Sequence, residues 1–337
     1  MKIAILAPVA WRTPPQHYGP WEQVASNVAE GLVARGFEVS LFATGDSQTN
    51  GTLRSICPKG YEEDRSQDAK VLECMHISYF MQHAREFDIL HNHFDFLPLT
   101  YTPFIKTPMV TTIHGFSSEK IIPVYQRFNN SNHYVSISNS DRHPSLHYAA
   151  TVYNGLDTSQ FSFTSQPDGD YLLYFGRIHP HKGTADAIRI AKASGHQIII
   201  AGIVQDEAYF REQVEPFIDD GQVQYVGPAG PEVRNKLLGN AKALLHPIHF
   251  DEPFGLSVAE AMMCGTPVIA YKRGSMEELI IDGSTGYLVN SEQEAVEKVA
   301  MLSNLPRSNC REHAVQKFSR EKMVEDYITV YEQMLSH

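Results

Sequence analysis

Short apolar runs alternate with segments whose apolar residues recur at helical spacing, and this alternation runs through the chain twice. In the first half "KIAILA" (2–7) is a continuous apolar run, the pattern of a strand buried on both faces. Trp21, Val24, Ala25, Val28, Ala29, Leu32 and Val33 then follow the spacing of an amphipathic helix, and Arg35-Gly36 offers its stop. "FEVSLFA" (37–43), "DILH" (88–91), "MVTTIH" (109–114), "HYVSIS" (133–138) and "ATVYN" (150–154) read as further strands. Strand, helix, strand in this order implies right-handed crossovers and a parallel sheet.

The segment "GLDTSQFSFTSQPDGD" (155–170) is polar and turn-rich and reads as a domain connection. The alternation then restarts. "YLLYFG" (171–176), "HQIIIAG" (196–202), "VQYVG" (223–227), "ALLHP" (243–247), "PVIAY" (267–271) and "GYLV" (286–289) are its strands. A final helix places Met323, Val324, Tyr327, Ile328, Tyr331, Met334 and Leu335 on one face, which must dock on a domain; the pattern does not say which. The expectation is α/β: two doubly wound, Rossmann-like parallel-sheet domains, with a ligand in the crevice at the carboxyl ends of the strands.

A chain of 337 residues suits two such domains. Its net charge of −11 changes the picture by exclusion. Residues 1–153 hold 12 basic against 14 acidic side chains, so −2 falls there and −9 on the remainder. This argues against nucleic acid and against strong attraction to anionic lipid, and leaves room only for weak membrane contact through a local patch. Cys57, Cys74, Cys264 and Cys310 have neither a pairwise motif nor metal spacing, as befits thiols of a reducing compartment. The opening apolar run is too short for a signal peptide, and no run of about 18 apolar residues exists. A cytoplasmic protein is expected.

Candidate chemistry lies at strand ends. After the first strand, "APVAWRTPPQHYGPWEQ" (7–23) leads to a helix N-terminus, a natural anion site. It has one glycine, Gly19, and lacks GxGxxG; Pro20 removes a donor. In "YFGRIHPHKGTADAI" (174–188), Gly176 ends a strand, and Arg177 and Lys182 flank a turn before another helix N-terminus. Two cations there suit a diphosphate, or they are solvated surface charges. No GxxxxGK[ST] occurs. In "HFDEPFGLSVAEAMMCGTPVIA" (249–270), Glu252 precedes a helix of about 255–264 and Glu260 lies on it. Carboxylates accept from hydroxyls, so the pair suits a sugar and a ribose, unless both merely decorate the helix. His91, His93 and Asp95 alternate at a strand end and could hint at metal, line the crevice or serve structural roles; no further cluster supports metal. "DGD" (168–170) reads as a turn. His114 ends a strand on the crevice side, as a ligand contact or a structural histidine.

Taken in order, these motifs resemble the retaining GT-B glycosyltransferases of family 4 over nearly the whole chain. The resemblance rests on "YGPWEQVASNVAEGLVARGFEVSLFATG", "DILHNH", "TTIHG", "YVSISNS", "VYNGLD", "FGRIHPHKG", "EPFGLSVAEAMMCGTPVIA" and "DGSTGYLV". It implies two domains facing a central cleft: 1–155 on the acceptor side, with helix 320–337 crossing back to it, and 156–319 binding the nucleotide-sugar donor. Arg177 and Lys182 would neutralise the diphosphate, and Glu252 would hold donor-sugar hydroxyls with the backbone amides of Phe254, Gly255 and Leu256. Glu260 would bind the ribose and His114 the transferred sugar. Gly19 and Gly176 would approach the diphosphate, and backbone near Gly202 and Gly227 would read the base. Loops around 11–20 and 91–96 would hold the acceptor, with Trp11, His17, Tyr18, His93 and Phe94 as candidate contacts. Two departures stand out: Pro20 replaces the second glycine of the family's first loop, and "RGSMEE" replaces a Gly-Gly before a later Glu.

The resemblance implies transfer from a nucleoside diphosphate sugar to a hydroxyl acceptor with retention, by front-side attack, without metal or cofactor. The departing phosphate would take the acceptor's proton, and domain closure would exclude water. A sugar-nucleotide epimerase or hydrolase, or an idle nucleotide-sugar binder, is the competing reading. Nucleotide, sugar, acceptor and oligomeric state stay open.

Overall fold

The computed structural model describes residues 1–16, 18–219 and 221–336. By its internal contacts the chain divides into two units, Met1–Leu156 with Arg320–His337, and Asp157–Ser319. Each is built on one all-parallel sheet.

The first sheet contains β1 (Lys2–Leu6), β2 (Glu38–Phe42), β3 (Thr52–Arg54), β4 (Ile89–Asn92), β5 (Met109–Ile113), β6 (His133–Ser136) and β7 (Tyr148–Thr151), in the order β3-β2-β1-β4-β5-β6-β7. The order reverses between β1 and β4, so the loops leaving those two strands open the crevice where ligands bind in doubly wound sheets. From Ile3 to Leu6 β1 is apolar because both faces of the sheet are covered; Ile3, Ala4, Ile5 and Leu6 are fully buried. The helix Pro20–Ala34 buries Val24, Ala25, Val28, Ala29 and Leu32 against one face.

The last helix, Arg320–Leu335, packs within this unit. Met323, Val324, Tyr327, Val330 and Tyr331 join the cluster of Ile3, Ile5, Val24 and Val28. Gly31 makes the approach possible: a Cβ there would lie 2.4 Å from Val324 Cγ2. The chain's last crossing is fixed at Leu156, whose carbonyl accepts from the amide of Arg320 at 2.7 Å.

The second sheet contains β8 (Tyr171–Phe175), β9 (Gln197–Ala201), β10 (Val223–Tyr225), β11 (Ala243–His246), β12 (Val268–Tyr271) and β13 (Gly286–Val289), in the order β10-β9-β8-β11-β12-β13. Its reversal falls between β8 and β11. Among the described residues, no helix is long and apolar enough to cross a membrane.

Two readings of the sequence need correction. The strand expected at 150–154 is β7 at Tyr148–Thr151, an edge strand half exposed and so without a clean apolar run. β3 escapes pattern reading altogether: three partly exposed residues at the opposite edge carry no periodicity.

Candidate functional site

In the second unit the charged residues gather at the carboxyl ends of β8 and β11. The turn after β8 is held by glycine for a steric reason. Gly202, after β9, has φ +154°, and a Cβ there would lie 1.8 Å from the carbonyl oxygen of Gly176. Its amide donates to the carbonyl of Gly227 at 2.9 Å. Gly176 itself faces open space, with the Tyr174 hydroxyl 3.9 Å from where its Cβ would stand. That hydroxyl donates to the carbonyl of Arg177 at 2.7 Å, and the Arg177 guanidinium donates to Gln205 Oε1 at 2.7 Å. Lys182 follows one turn later, directly before the helix Thr184–Ala193. Gly183 at that junction has φ +70° and passes so close to β11's exit that a Cβ would sit 1.9 Å from the Pro247 carbonyl oxygen.

Lys182 and Glu252, 70 residues apart, form an ion pair of 2.5 Å, with side chains 16% and 11% exposed. Nothing in the sequence announced this pairing. His246, at the end of β11, brings Nε2 to 3.6 Å from the same carboxylate oxygen. Burial would push Glu252 up; His246 and Lys182 outweigh it and hold the carboxyl at about 2. Phe250 floors the Lys182 ammonium at 4.6 Å from its ring centre. The loop carrying Glu252 is braced by the Arg273-Gly274-Ser275 turn. The Ser275 amide donates to the Glu252 carbonyl at 2.9 Å and its hydroxyl to the Phe254 carbonyl at 2.6 Å. Gly274 packs so tightly on Glu252 that a Cβ would lie 2.3 Å from the Glu252 nitrogen. The departure noted in "RGSMEE" is therefore a clamp on the carboxylate loop.

Phe254 is buried and packs against Phe318, anchoring the turn. Gly255, at φ +93°, starts the helix Leu256–Met263. The first amide of that helix to bond Gly255's carbonyl is Val258, so those of Leu256 and Ser257 have no intrahelical acceptor. On the helix, Glu260 pairs with Arg234 at 3.1 Å. Burial raises the Glu260 carboxyl, and Arg234 opposes that rise. The Arg234 guanidinium lies over the Phe161 ring at 4.6 Å, and its Nε is buried without a hydrogen-bond partner among the described residues. Arg234 was not legible in "GPEVRNKLLG", because no spacing rule links it to Glu260.

In the first unit, Gly19 (φ +151°) caps the helix Pro20–Ala34. A Cβ there would lie 2.9 Å from Glu22 Oε2. Glu22 is buried, accepts from the Trp11 amide at 3.3 Å, and is pushed up to about 7 by burial. Trp11 and Tyr18 meet edge to face at 6.5 Å. His17 lies outside the described residues. His114, just past β5, is partly exposed and stacks on Trp21 at 5.4 Å. Burial pulls its imidazole down to about 3.

Three expected crevice contacts prove internal. His91 is fully buried, with Nδ1 2.6 Å from the Tyr331 hydroxyl and Nε2 2.8 Å from Thr112 Oγ1, so it ties the last helix to the sheet. His93, offered as an acceptor contact, is also fully buried, behind His114. Phe94 is 7% exposed and packs in the core with Leu90 and Leu99; its ring is not available to a sugar. Asp95 has φ 101°, rare for a non-glycine residue, and accepts from the Tyr125 hydroxyl. Burial pushes its carboxyl to about 6. Among the described residues, no three His, Cys, Asp or Glu side chains converge as a metal site requires.

Two parallel sheets, each reversing at the strands that carry the charged and aromatic residues, define a protein of the GT-B class. The model "Glycosyltransferase Family 4" matches residues 21–160, and "Glycosyl transferases group 1" matches 157–320. Glycosyltransferase models thus match the chain in succession, the two together spanning residues 21–320. It is 29% identical over 188 residues to trehalose synthase of Pyrococcus horikoshii, covering 50% of this chain and 45% of that one. It is 29% identical over 231 residues to glycogen synthase of Mycobacterium tuberculosis, covering 59% and 55%. The chain thus spans about half the length of these curated relatives. Anabaena Alr3699/HepE, solved with UDP-glucose, superimposes with a TM-score of 0.73 at 19% identity, covering 100% of both chains.

Proposed function

We propose that the protein is a retaining, metal-independent hexosyltransferase that moves a sugar from a nucleoside diphosphate sugar to a hydroxyl acceptor. The observation that carries this is the edge of the second sheet. Two cations and two carboxylates, Arg177 with Lys182 and Glu252 with Glu260, stand on the loops and helix that leave β8 and β11.

Each group has a chemical task in this reading. The diphosphate carries two negative charges that grow as the leaving group departs; Arg177 and Lys182 neutralise them. On binding, Lys182 is shared between the phosphate and Glu252, and Glu252 turns its acceptor oxygens to the donor sugar. Glu260 accepts from the ribose hydroxyls, and the amides of Leu256 and Ser257 donate to phosphate oxygens at the helix N-terminus. In this reading Glu252 acts as a hydrogen-bond acceptor and not as a nucleophile. Retention then follows from front-side attack, with a departing phosphate oxygen taking the acceptor's proton. We assign His114 to the transferred sugar, and the acceptor to the first unit's aromatic loop at Trp11 and Tyr18. UDP-glucose, the ligand of the Anabaena relative, is the donor to try first.

The test is product analysis by proton NMR. Incubation with UDP-, GDP- and ADP-sugars and a panel of sugar acceptors should give a glycoside with the donor's anomeric configuration. An inverted product would overturn the retaining mechanism, and turnover of donor with no acceptor incorporated would favour the epimerase or hydrolase reading.

A further inference from the structure

His93 and His114 form a hydrogen bond between two imidazoles, and its direction has a chemical consequence. His93 Nδ1 lies 2.9 Å from His114 Nε2. Burial drives both rings toward the neutral form, so one nitrogen of the pair carries a proton and the other a lone pair. Two arrangements satisfy that bond. In one, His114 Nε2–H donates to His93, and the His93 proton sits on Nε2. In the other, His93 Nδ1–H donates to His114, and the His114 proton sits on Nδ1.

The rest of the cluster decides between them. His93 is fully buried, and among the described residues its Nε2 has no hydrogen-bond partner. The neighbouring His91 ring, 4.1 Å away, offers no acceptor, because both its nitrogens are engaged by Tyr331 and Thr112. The first arrangement would bury an N–H with nothing to receive it. The second leaves an unused lone pair, the less costly orphan. His114 then holds its one remaining proton on Nδ1, a nitrogen that no described residue bonds, on a ring partly exposed and steadied by Trp21.

We infer that His93 is a positioning residue: its Nδ1–H fixes His114 in the Nδ1-protonated tautomer, so that His114 offers a hydrogen-bond donor, never an acceptor, to a ligand oxygen. This rests on the reading above only in taking that oxygen to belong to the transferred sugar; the tautomer itself does not depend on it. The role also explains why a fully buried histidine, and not an apolar residue, stands just past the end of β4.

Long-range proton–nitrogen NMR of the full chain labelled with 15N-histidine reads the tautomer directly. The wild type should show Nδ1–H for His114, assigned by its loss in His114→Gln. His93→Leu should abolish that preference and lower kcat about tenfold, the effect of one misplaced donor, while KM for the donor changes less. His93→Asn, whose amide nitrogen sits where Nδ1 does, should restore most of both readouts. A wild-type His114 protonated at Nε2 would overturn the inference, whatever the variants do. So would an unchanged His114 tautomer in a folded His93→Leu protein. If no nucleotide sugar binds the wild type while the tautomer is as stated, the functional reading fails and the tautomer assignment stands.

Discussion

Replacing Lys182 by alanine removes one of the two partners that hold Glu252 ionised. The Glu252 carboxyl sits at about 2 in the folded protein against an ordinary 4.5. At about 1.4 kcal/mol per unit, its ionised form favours folding by about 3 kcal/mol at neutral pH. The folded value lies below the unfolded one. That stabilisation is therefore complete above pH 4.5 and lost as pH falls toward 2. In Lys182→Ala, burial is opposed by His246 alone, and the carboxyl rises. The variant should lose about 3 kcal/mol at pH 7, the scale of breaking one side of a buried pair. The gap to wild type should narrow by at least about 1 kcal/mol at pH 4, where protonation relieves the stranded charge. The assay is urea unfolding of the second unit's transition at pH 7, 5 and 4. It should be repeated in a Glu252→Gln background, where the gap should be small and flat with pH. A gap that stays constant to within about 0.3 kcal/mol from pH 7 to pH 4 in the Glu252 background would refute the reasoning.

Four further variants have expected outcomes. Arg234→Met should weaken nucleotide-sugar binding by about tenfold, because Glu260, the proposed acceptor for the ribose hydroxyls, loses the cation that holds it ionised and in place. Because Glu260 is then pushed up by burial unopposed, binding should also weaken as pH falls; calorimetry across a pH series checks both effects. Gly183→Ala should cost about 3 kcal/mol, since strain at φ +70° adds to a collision with the Pro247 carbonyl. Gly195→Ala, with φ +73° but open space around it, should cost only about 1 kcal/mol by thermal melting. Tyr331→Phe should leave a His91 nitrogen unpaired in the first unit's core and cost about 1–3 kcal/mol of its stability, with far-UV dichroism unchanged.

The α/β architecture was legible because central parallel strands are buried on both faces. "KIAILA" and "YLLYFG" can be little else, and their strands are β1 and β8. What escaped was short or non-local. β3 is three residues at an exposed edge. His91 and His93 were placed together by strand alternation, which is correct for a shared face. Alternation cannot show that Tyr327 and Tyr331, more than 230 residues onward, cover that face and turn a supposed crevice lining into core. Phe94 escaped for another reason: it is a loop residue folded inward against Leu90 and Leu99. In the second unit the charged residues were readable one by one at strand ends. Their partners were not: Lys182 with Glu252 and Arg234 with Glu260 pair across 70 and 26 residues, where no local spacing rule reaches.

The most direct test of the account is calorimetric titration of UDP-glucose, GDP-glucose and ADP-glucose into the wild-type protein after EDTA treatment, with Glu260→Gln in parallel. The account predicts saturable binding of one of these donors in EDTA, unchanged by added Mg²⁺ and weakened about tenfold or more in Glu260→Gln. Binding that vanishes in EDTA and returns with Mg²⁺, or no binding of any of the three, would contradict it.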